Sequence, residues 1–233
     1  MKCIGMSKIG LVRKRNEDRF CIEGPFCIVT DGMGGYKGGE IASTLAIDSI
    51  AEALRKLETP SEEALQHAVS EANRMVYERV FTEPELKGMG TTAVVAYEQC
   101  HTLYWANVGD SRLYLFDDDG LVQISTDHSM VQSLYEAGTL SSDEMLTHPQ
   151  RNILTRAVGV GANVEVDCGH LSVESGNRIL LCSDGLTGYI PQDTIEAMFN
   201  EQSDDERLLE DLMALVYDAG AKDNVTIVVG TIE

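Results

Sequence analysis

Apolar residues along this chain come mostly in short runs broken by glycine, asparagine or aspartate, and in a few stretches they change to steps of three and four. The runs at 26–30, 92–97, 102–108, 112–116, 121–124, 163–171, 178–182 and 225–230 have the composition and turn-rich borders of strands. Hairpin-length turns such as Asp117-Asp118-Asp119-Gly120 link several of them, which favours antiparallel pairing. Ile47, Ile50, Leu54 and Leu57 fall on one face of a helix, and Leu65, Ala68, Ala72 and Val76 on one face of a second. The second opens with Thr59-Pro60-Ser61-Glu62, where Thr59 accepts from the Glu62 amide while Glu62 reaches back. A late helix opens similarly at Ser203-Asp204-Asp205-Glu206, runs through Leu209, Leu212 and Val216, and stops near Gly220. Strands with two helices early and one late, without strict βαβ alternation, predict an α+β fold in which helices cover sheets.

No repeat, low-complexity tract or linker divides residues 1–233, so a single domain with a sizeable core is expected. The stretch 126–151 is more polar, with Asp127, Glu136, Asp143 and Glu144 beside Gly138, Ser141 and Ser142. Val131, Leu134 and Tyr135 supply enough apolar surface for one short helix, and the stretch is expected to be among the most mobile parts. Six cysteines stand apart without a Cys-x-x-Cys pair, which indicates reduced thiols in a cytosol rather than a zinc site or a disulfide framework. The amino-terminal residues lack the apolar core of a signal peptide and no run is long enough to span a bilayer, so a soluble cytoplasmic chain is expected. Lys and Arg total 18 against 38 Asp and Glu, and the net charge of −20 argues against nucleic acid and anionic membrane as partners.

The candidate chemistry lies in acidic residues at the ends of apolar runs. Asp31 follows Phe26-Cys27-Ile28-Val29-Thr30 and precedes Gly32, Asp184 follows Ile179-Leu180-Leu181-Cys182-Ser183 and precedes Gly185, and Asp223-Asn224 precede Val225-Thr226-Ile227. Carboxylates where strands meet loops suit hard cations such as Mg²⁺ and Mn²⁺, although a single Asp-Gly pair is more often a turn than a ligand. Gly32-Met33-Gly34-Gly35 is not a dinucleotide loop, because Lys37 stands where that motif needs glycine.

In order along the chain come Arg13-Lys14-Arg15-Asn16-Glu17-Asp18, Thr30-Asp31-Gly32-Met33-Gly34-Gly35, Gly90-Thr91-Thr92, Gly109-Asp110-Ser111-Arg112, Arg151-Asn152-Ile153-Leu154-Thr155-Arg156, Ser183-Asp184-Gly185 and Asp223-Asn224. This series resembles the bacterial form of the type 2C, or PPM, serine/threonine protein phosphatases over nearly the whole length. The resemblance implies a four-layer αββα sandwich, with two mainly antiparallel sheets between helices, and a flap at about 126–151. It implies hydrolysis of phosphoserine and phosphothreonine in proteins by a metal-activated water or hydroxide at a centre of two Mn²⁺ or Mg²⁺ ions. Asp31 would bridge the metals, the Gly32 carbonyl would add a ligand to one, and Asp184 and Asp223 would complete the other. Glu17 and Asp18 would bond the metals' waters, Asn224 would orient the neighbouring ligand loop, and Arg13 would grip the phosphate.

Two positions depart from the pattern. Met33 stands where many eukaryotic relatives carry a histidine, so the leaving group would be protonated either by a metal-bound water or by a histidine from elsewhere, with His128 and His148 of the 126–151 stretch as the candidates, while His67, His101 and His170 fall on a helix or strand. Gly188 stands where many relatives carry an aspartate for a third metal, so a site on Asp110 and Asp184 would be weakened. The expected partners are phosphorylated proteins written by a serine/threonine kinase, met by a monomer. The competing readings are another two-metal phosphoesterase such as a nuclease, which needs a basic groove, and a pseudophosphatase that binds phosphoproteins without turnover, which would have lost ligands.

Overall fold

Alternation along the strands decides which layer each side chain enters. In the computed structural model, which describes residues 1–35 and 37–233, Phe26 and Ile28 face one apolar layer while Cys27 and Val29 face another. The side chains of Ser142, Asp143 and Leu146 lie outside the description, so the acidic group of Asp143 is not placed. The elements run β1 (Lys2–Lys8), β2 (Asp18–Glu23), β3 (Phe26–Met33), α1 (Gly38–Leu54), α2 (Glu62–Thr82), β4 (Gly90–Thr91), β5 (Ala93–Gln99), β6 (Thr102–Val108), β7 (Arg112–Asp117) and β8 (Gly120–Gln123). They continue through α3 (Met130–Glu136), α4 (Ser142–Thr147), β9 (Asp167–Ser172), β10 (Arg178–Cys182), α5 (Asp184–Thr187), α6 (Gln192–Glu201), α7 (Asp205–Asp218) and β11 (Val225–Thr231).

One sheet has the order β1-β11-β10-β7-β8 and the other β2-β3-β5-β6-β9, with β4 pairing β3 at one end. Every ladder is antiparallel. Three apolar layers fill the spaces between elements. Ile50, Leu54, Leu65 and Val69 pack α1 and α2 on the second sheet, Val94, Leu103, Leu113, Leu181 and Val228 fill the space between the sheets, and Leu186, Ile195, Phe199, Leu208 and Leu212 cover the first sheet. This is the four-layer αββα sandwich. No helix among the described residues is long and apolar enough to cross a membrane.

Several local expectations change. Ser61, not Thr59, caps α2, accepting the Ala64 amide at 3.1 Å, and buried Pro60 precedes it opposite buried Leu65, an arrangement that fixes the entry of the chain. Asp204, not Ser203, caps α7. The run at 163–171 is strand only from Asp167 onward. His101 is not in a strand: with Cys100 it forms the turn between β5 and β6, both at positive φ (53° and 58°), the backbone of a tight hairpin. β1, β2 and α6 have no counterpart among the predicted elements.

Two buried polar side chains tie layers together. Arg178, at the start of β10, donates to Asp205 Oδ1 at 2.9 and 2.6 Å and to the Phe199 and Gln202 carbonyls, holding α6 and α7 on the sheet. Asn73 of α2 accepts the Gly159 amide at 2.7 Å and donates to the Gly161 and Ala162 carbonyls. It thereby anchors the segment after Asn152 and Leu154, which border the site described next.

Candidate metal centre

Both sheets deliver carboxylates to the same end of the sandwich. Asp31 lies near the end of β3, directly opposite Asp18 of β2 in the ladder. Beyond the last pair of β10 and β11 the Ser183 amide still donates to the Thr226 carbonyl at 3.0 Å, so Asp184, just after β10, and Asp223-Asn224, just before β11, share one edge. Asp110 comes from the turn between β6 and β7, and Arg13 from the loop after β1, where its Nη2 donates to Asp223 Oδ2. A cleft of about 230 Å³ is lined by Arg13, Glu17, Asp31, Gly32, Asp110, Asp184, Asp223 and Asn224. Asn152 and Leu154 add to its wall, and Asp18 lies just beneath.

The backbone in this region is close-packed. A Cβ at Gly32 would fall 2.1 Å from the Gly39 carbonyl oxygen, and one at Gly185 would fall 1.8 Å from that of Asn224. Neither glycine has positive φ. Each therefore serves a close approach of two backbones rather than a tight turn, which separates these Asp-Gly pairs from ordinary hairpins. Asn224 crosslinks the same region, accepting the Glu17 amide at 3.0 Å and donating to the Arg15 carbonyl. The Asp31 amide donates to Thr92 Oγ1 at 2.9 Å, and that hydroxyl is bonded to Ser111 at 2.7 Å.

Electrostatically the cleft carries an uncompensated negative load. Burial first, and then the charges of Asp18, Asp184, Asp110 and Asp223, push the Asp31 carboxyl well above the usual carboxylate range. Asp110 moves the same way through burial and the charges of Asp184 and Asp127. Burial and the charge of Asp223 lift Asp184 to about 6 against the partial relief of a hydrogen bond from Asp31. Burial lifts Asp18 to about 7 although Ser183 and Thr226 each donate to its Oδ2 at 2.8 Å. Arg13 is the one cation among the described lining residues.

Two oxygens identify what this load suits. Asp18 Oδ1 and Asp184 Oδ1 are buried without any hydrogen-bond partner, a costly state for an acceptor. An all-oxygen donor set with unpartnered carboxylate oxygens and raised proton affinities fits hard divalent cations, which would replace the missing donors and offset the charge. Among the described residues no three His, Cys, Asp or Glu side chains close into a coordination shell as they stand.

The structure brings neither candidate general acid to the cleft. His128 is buried behind the Asp110 turn, where Nδ1 accepts the Gly109 amide at 3.1 Å and Nε2 meets Asp167 at 3.0 Å. Nε2 also meets Arg156 Nη1 at 3.2 Å, so both ring nitrogens are engaged by protein groups away from the cleft. His148 accepts the Gln150 amide and does not line the cleft. Gly188, whose amide bonds the Asp184 carbonyl at 2.7 Å, lines an adjoining cavity of about 590 Å³ between the 129–145 segment and residues 187–193. Sequence reading missed Thr226 as a partner of Asp18 and Thr92 as a support of Asp31. Thr226 had no signal of its own, whereas Thr92 lay in the quoted Gly90-Thr91-Thr92.

A family profile described as Protein phosphatase 2C matches residues 14–226. The serine/threonine phosphatase stp of Listeria innocua is 34% identical over 228 residues, covering 94% of this chain and 90% of its own. The crystal structure of the Mycobacterium tuberculosis serine/threonine phosphatase PstP/Ppp superposes with a TM-score of 0.94 at 35% identity, over 100% of this chain and 98% of that one. A crystal structure of the PstP catalytic domain in complex with two manganese ions superposes at 0.90 with 32% identity, over 98% and 96%.

Proposed function

Because the chain belongs to the protein phosphatase 2C family, we propose that its acidic cleft hydrolyses phosphoserine and phosphothreonine in proteins with two divalent cations, Mn²⁺ or Mg²⁺. The observation that carries this reading is the buried, unpartnered oxygen of Asp184 in a carboxylate cluster that also holds Arg13. Asp31, the Gly32 carbonyl, Asp184 and Asp223 would hold the cations, and Glu17 and Asp18 would accept from waters around them. Such cations, when bound, supply a water acidic enough to attack phosphorus at neutral pH and offset charge on the phosphoryl oxygens.

The chain's own groups do the rest. Arg13 already points into the cleft through Asp223 and keeps N–H donors for two phosphate oxygens, neutralising charge that builds during hydrolysis. Asn224, by joining the Glu17 amide to the Arg15 carbonyl, holds the Arg13 loop and the Asp223 turn in one frame. Asp110 and Asp184 would form a weaker third site, since Gly188 contributes no carboxylate.

We read 1–233 as one catalytic unit with 126–151 as its flap, acting as a cytoplasmic bacterial monomer on the products of a serine/threonine kinase. The bacterial relatives, the lack of a membrane-crossing helix among the described residues and the −20 charge on every copy support this reading. The nuclease reading lacks a basic track, with Arg13 the one cation in the described cleft lining. The pseudophosphatase reading would have lost ligands of the two-cation core, yet Asp31, Asp184, Asp223 and Arg13 are all present. Phosphate release from a phosphothreonine peptide, with duplex DNA and RNA as parallel substrates, tests the reading. Turnover of the peptide alone supports it, whereas nucleic acid cleavage, or peptide binding without turnover, refutes it.

A further inference from the structure

The loop that carries Arg13 also carries an apolar ledge that the site leaves unused. Ile9, Leu11 and Val12 are 41, 63 and 68% exposed, the densest run of large apolar side chains in solvent among the described residues. Their backbone is tied down. The Tyr217 hydroxyl donates to the Ile9 carbonyl at 2.5 Å, the Leu11 amide to the Ala221 carbonyl at 2.7 Å, and the Arg13 amide back to the Gly10 carbonyl at 3.1 Å. Gly10 lies so close to the Asp223 carbonyl that a Cβ there would fall 2.1 Å from its oxygen. The ledge is thus fixed to the turn that presents Asp223, while Leu11 and Val12 project into solvent.

We propose that Leu11 and Val12 form a docking ledge for the polypeptide on either side of the substrate's phosphorylated residue, and that it selects apolar side chains there. This rests on the phosphatase reading. With its phosphate at Arg13, an extended substrate carries its next three residues over about 10 Å, and Leu11 and Val12 lie within about 7 Å of Arg13 along the backbone. The ledge is therefore within reach of the residues that flank the phosphorylated one. Arg13 and Lys14 beside it favour a phosphorylated, negatively charged chain. The net charge of −20 disfavours a second copy of this protein or an anionic lipid surface as the occupant.

The test compares the wild type with a Leu11→Ser/Val12→Ser variant of matching melting temperature. The substrates are a phosphothreonine peptide flanked by leucine and valine, the same peptide flanked by glycine and serine, and an aryl phosphate. Partial burial of two aliphatic side chains predicts a wild-type kcat/KM about fivefold to twentyfold higher on the apolar peptide. The variant should lose that preference and keep its aryl phosphate rate. A preference that survives in the variant overturns the proposal, and so does parallel loss on the aryl phosphate, which would make the loop a mere support for Arg13 and Asp223. Sedimentation showing a dimer that the variant dissolves, or binding to phosphatidylglycerol vesicles that it abolishes, would give the ledge another occupant and also overturn it. A wild type inactive on all three substrates would refute the phosphatase reading itself.

Discussion

Replacing Asp184 by asparagine should stabilise the cation-free protein while disabling it. The carboxyl titrates at about 6 in the fold against 3.8 for a free group, chiefly because it is buried and faces Asp223. The gap of about two on the pH scale corresponds to about 3 kcal/mol. Because the folded value is raised, the folded state holds the proton more tightly. The associated stability is present below pH 3.8, falls as pH rises through 6, and is gone above it. At pH 7.5 in chelator the wild type carries this full cost and Asp184→Asn does not, an advantage of up to about 3 kcal/mol, or roughly 6–12 °C in Tm for a domain this size. At pH 4.5 most of the advantage should vanish. Added Mn²⁺ should reverse the order, since the carboxylate is then the better ligand. Thermal melts of both proteins at the two pH values, with chelator and with Mn²⁺, check each step. A wild type more stable than the variant in chelator at pH 7.5, or a difference that ignores pH, would refute the reasoning.

Other substitutions test the frame around the site. Gly32→Ala forces a methyl to 2.1 Å from the Gly39 oxygen and should cost at least about 3 kcal/mol and most activity, so a wild-type melt would show that the two backbones can separate freely. Arg178→Met leaves Asp205 without its cation, though still bonded to the Thr231 hydroxyl, and removes the Arg178 donors from two carbonyls, and should lower stability by about 3 kcal/mol in denaturant melts while sparing kcat at low temperature. Arg13→Ala should raise KM and lower kcat/KM by roughly tenfold to a hundredfold. The lower end is expected, because its side chain is 48% exposed, and unchanged kinetics would return Arg13 to the solvated surface.

The site was legible because its carboxylates sit in short motifs at strand ends, and Asp31, Asp184 and Asp223 could be placed at those ends by adjacent apolar runs alone. Which Asp-Gly pairs were turns was not legible. That depended on Gly32 meeting Gly39 and Gly185 meeting Asn224, contacts between residues whose approach the fold creates. β2 escaped notice because Asp18-Arg19 and Glu23 surround only Phe20, Cys21 and Ile22, and its pairing with β3 supplies the stability. β1 likewise mixes Lys2, Gly5, Ser7 and Lys8 with Ile4 and Met6, and becomes a strand by pairing with β11 across the length of the chain. α6 was readable, since Ile195, Met198 and Phe199 keep the helical step. That neither candidate histidine lines the cleft was not legible, because the fold alone brings their partners to them. His128 meets Gly109, Asp167 and Arg156.

The central claim is that this carboxylate cleft hydrolyses phosphoprotein esters by means of cations it binds. The most direct measurement is the initial rate of phosphate release from a phosphothreonine peptide by chelator-stripped protein, before and after Mn²⁺ addition, with Asp31→Asn in parallel. No turnover is expected in chelator, with restoration by Mn²⁺ in the wild type and little restoration in the variant. Full turnover in chelator, or a variant as active as the wild type, would contradict it.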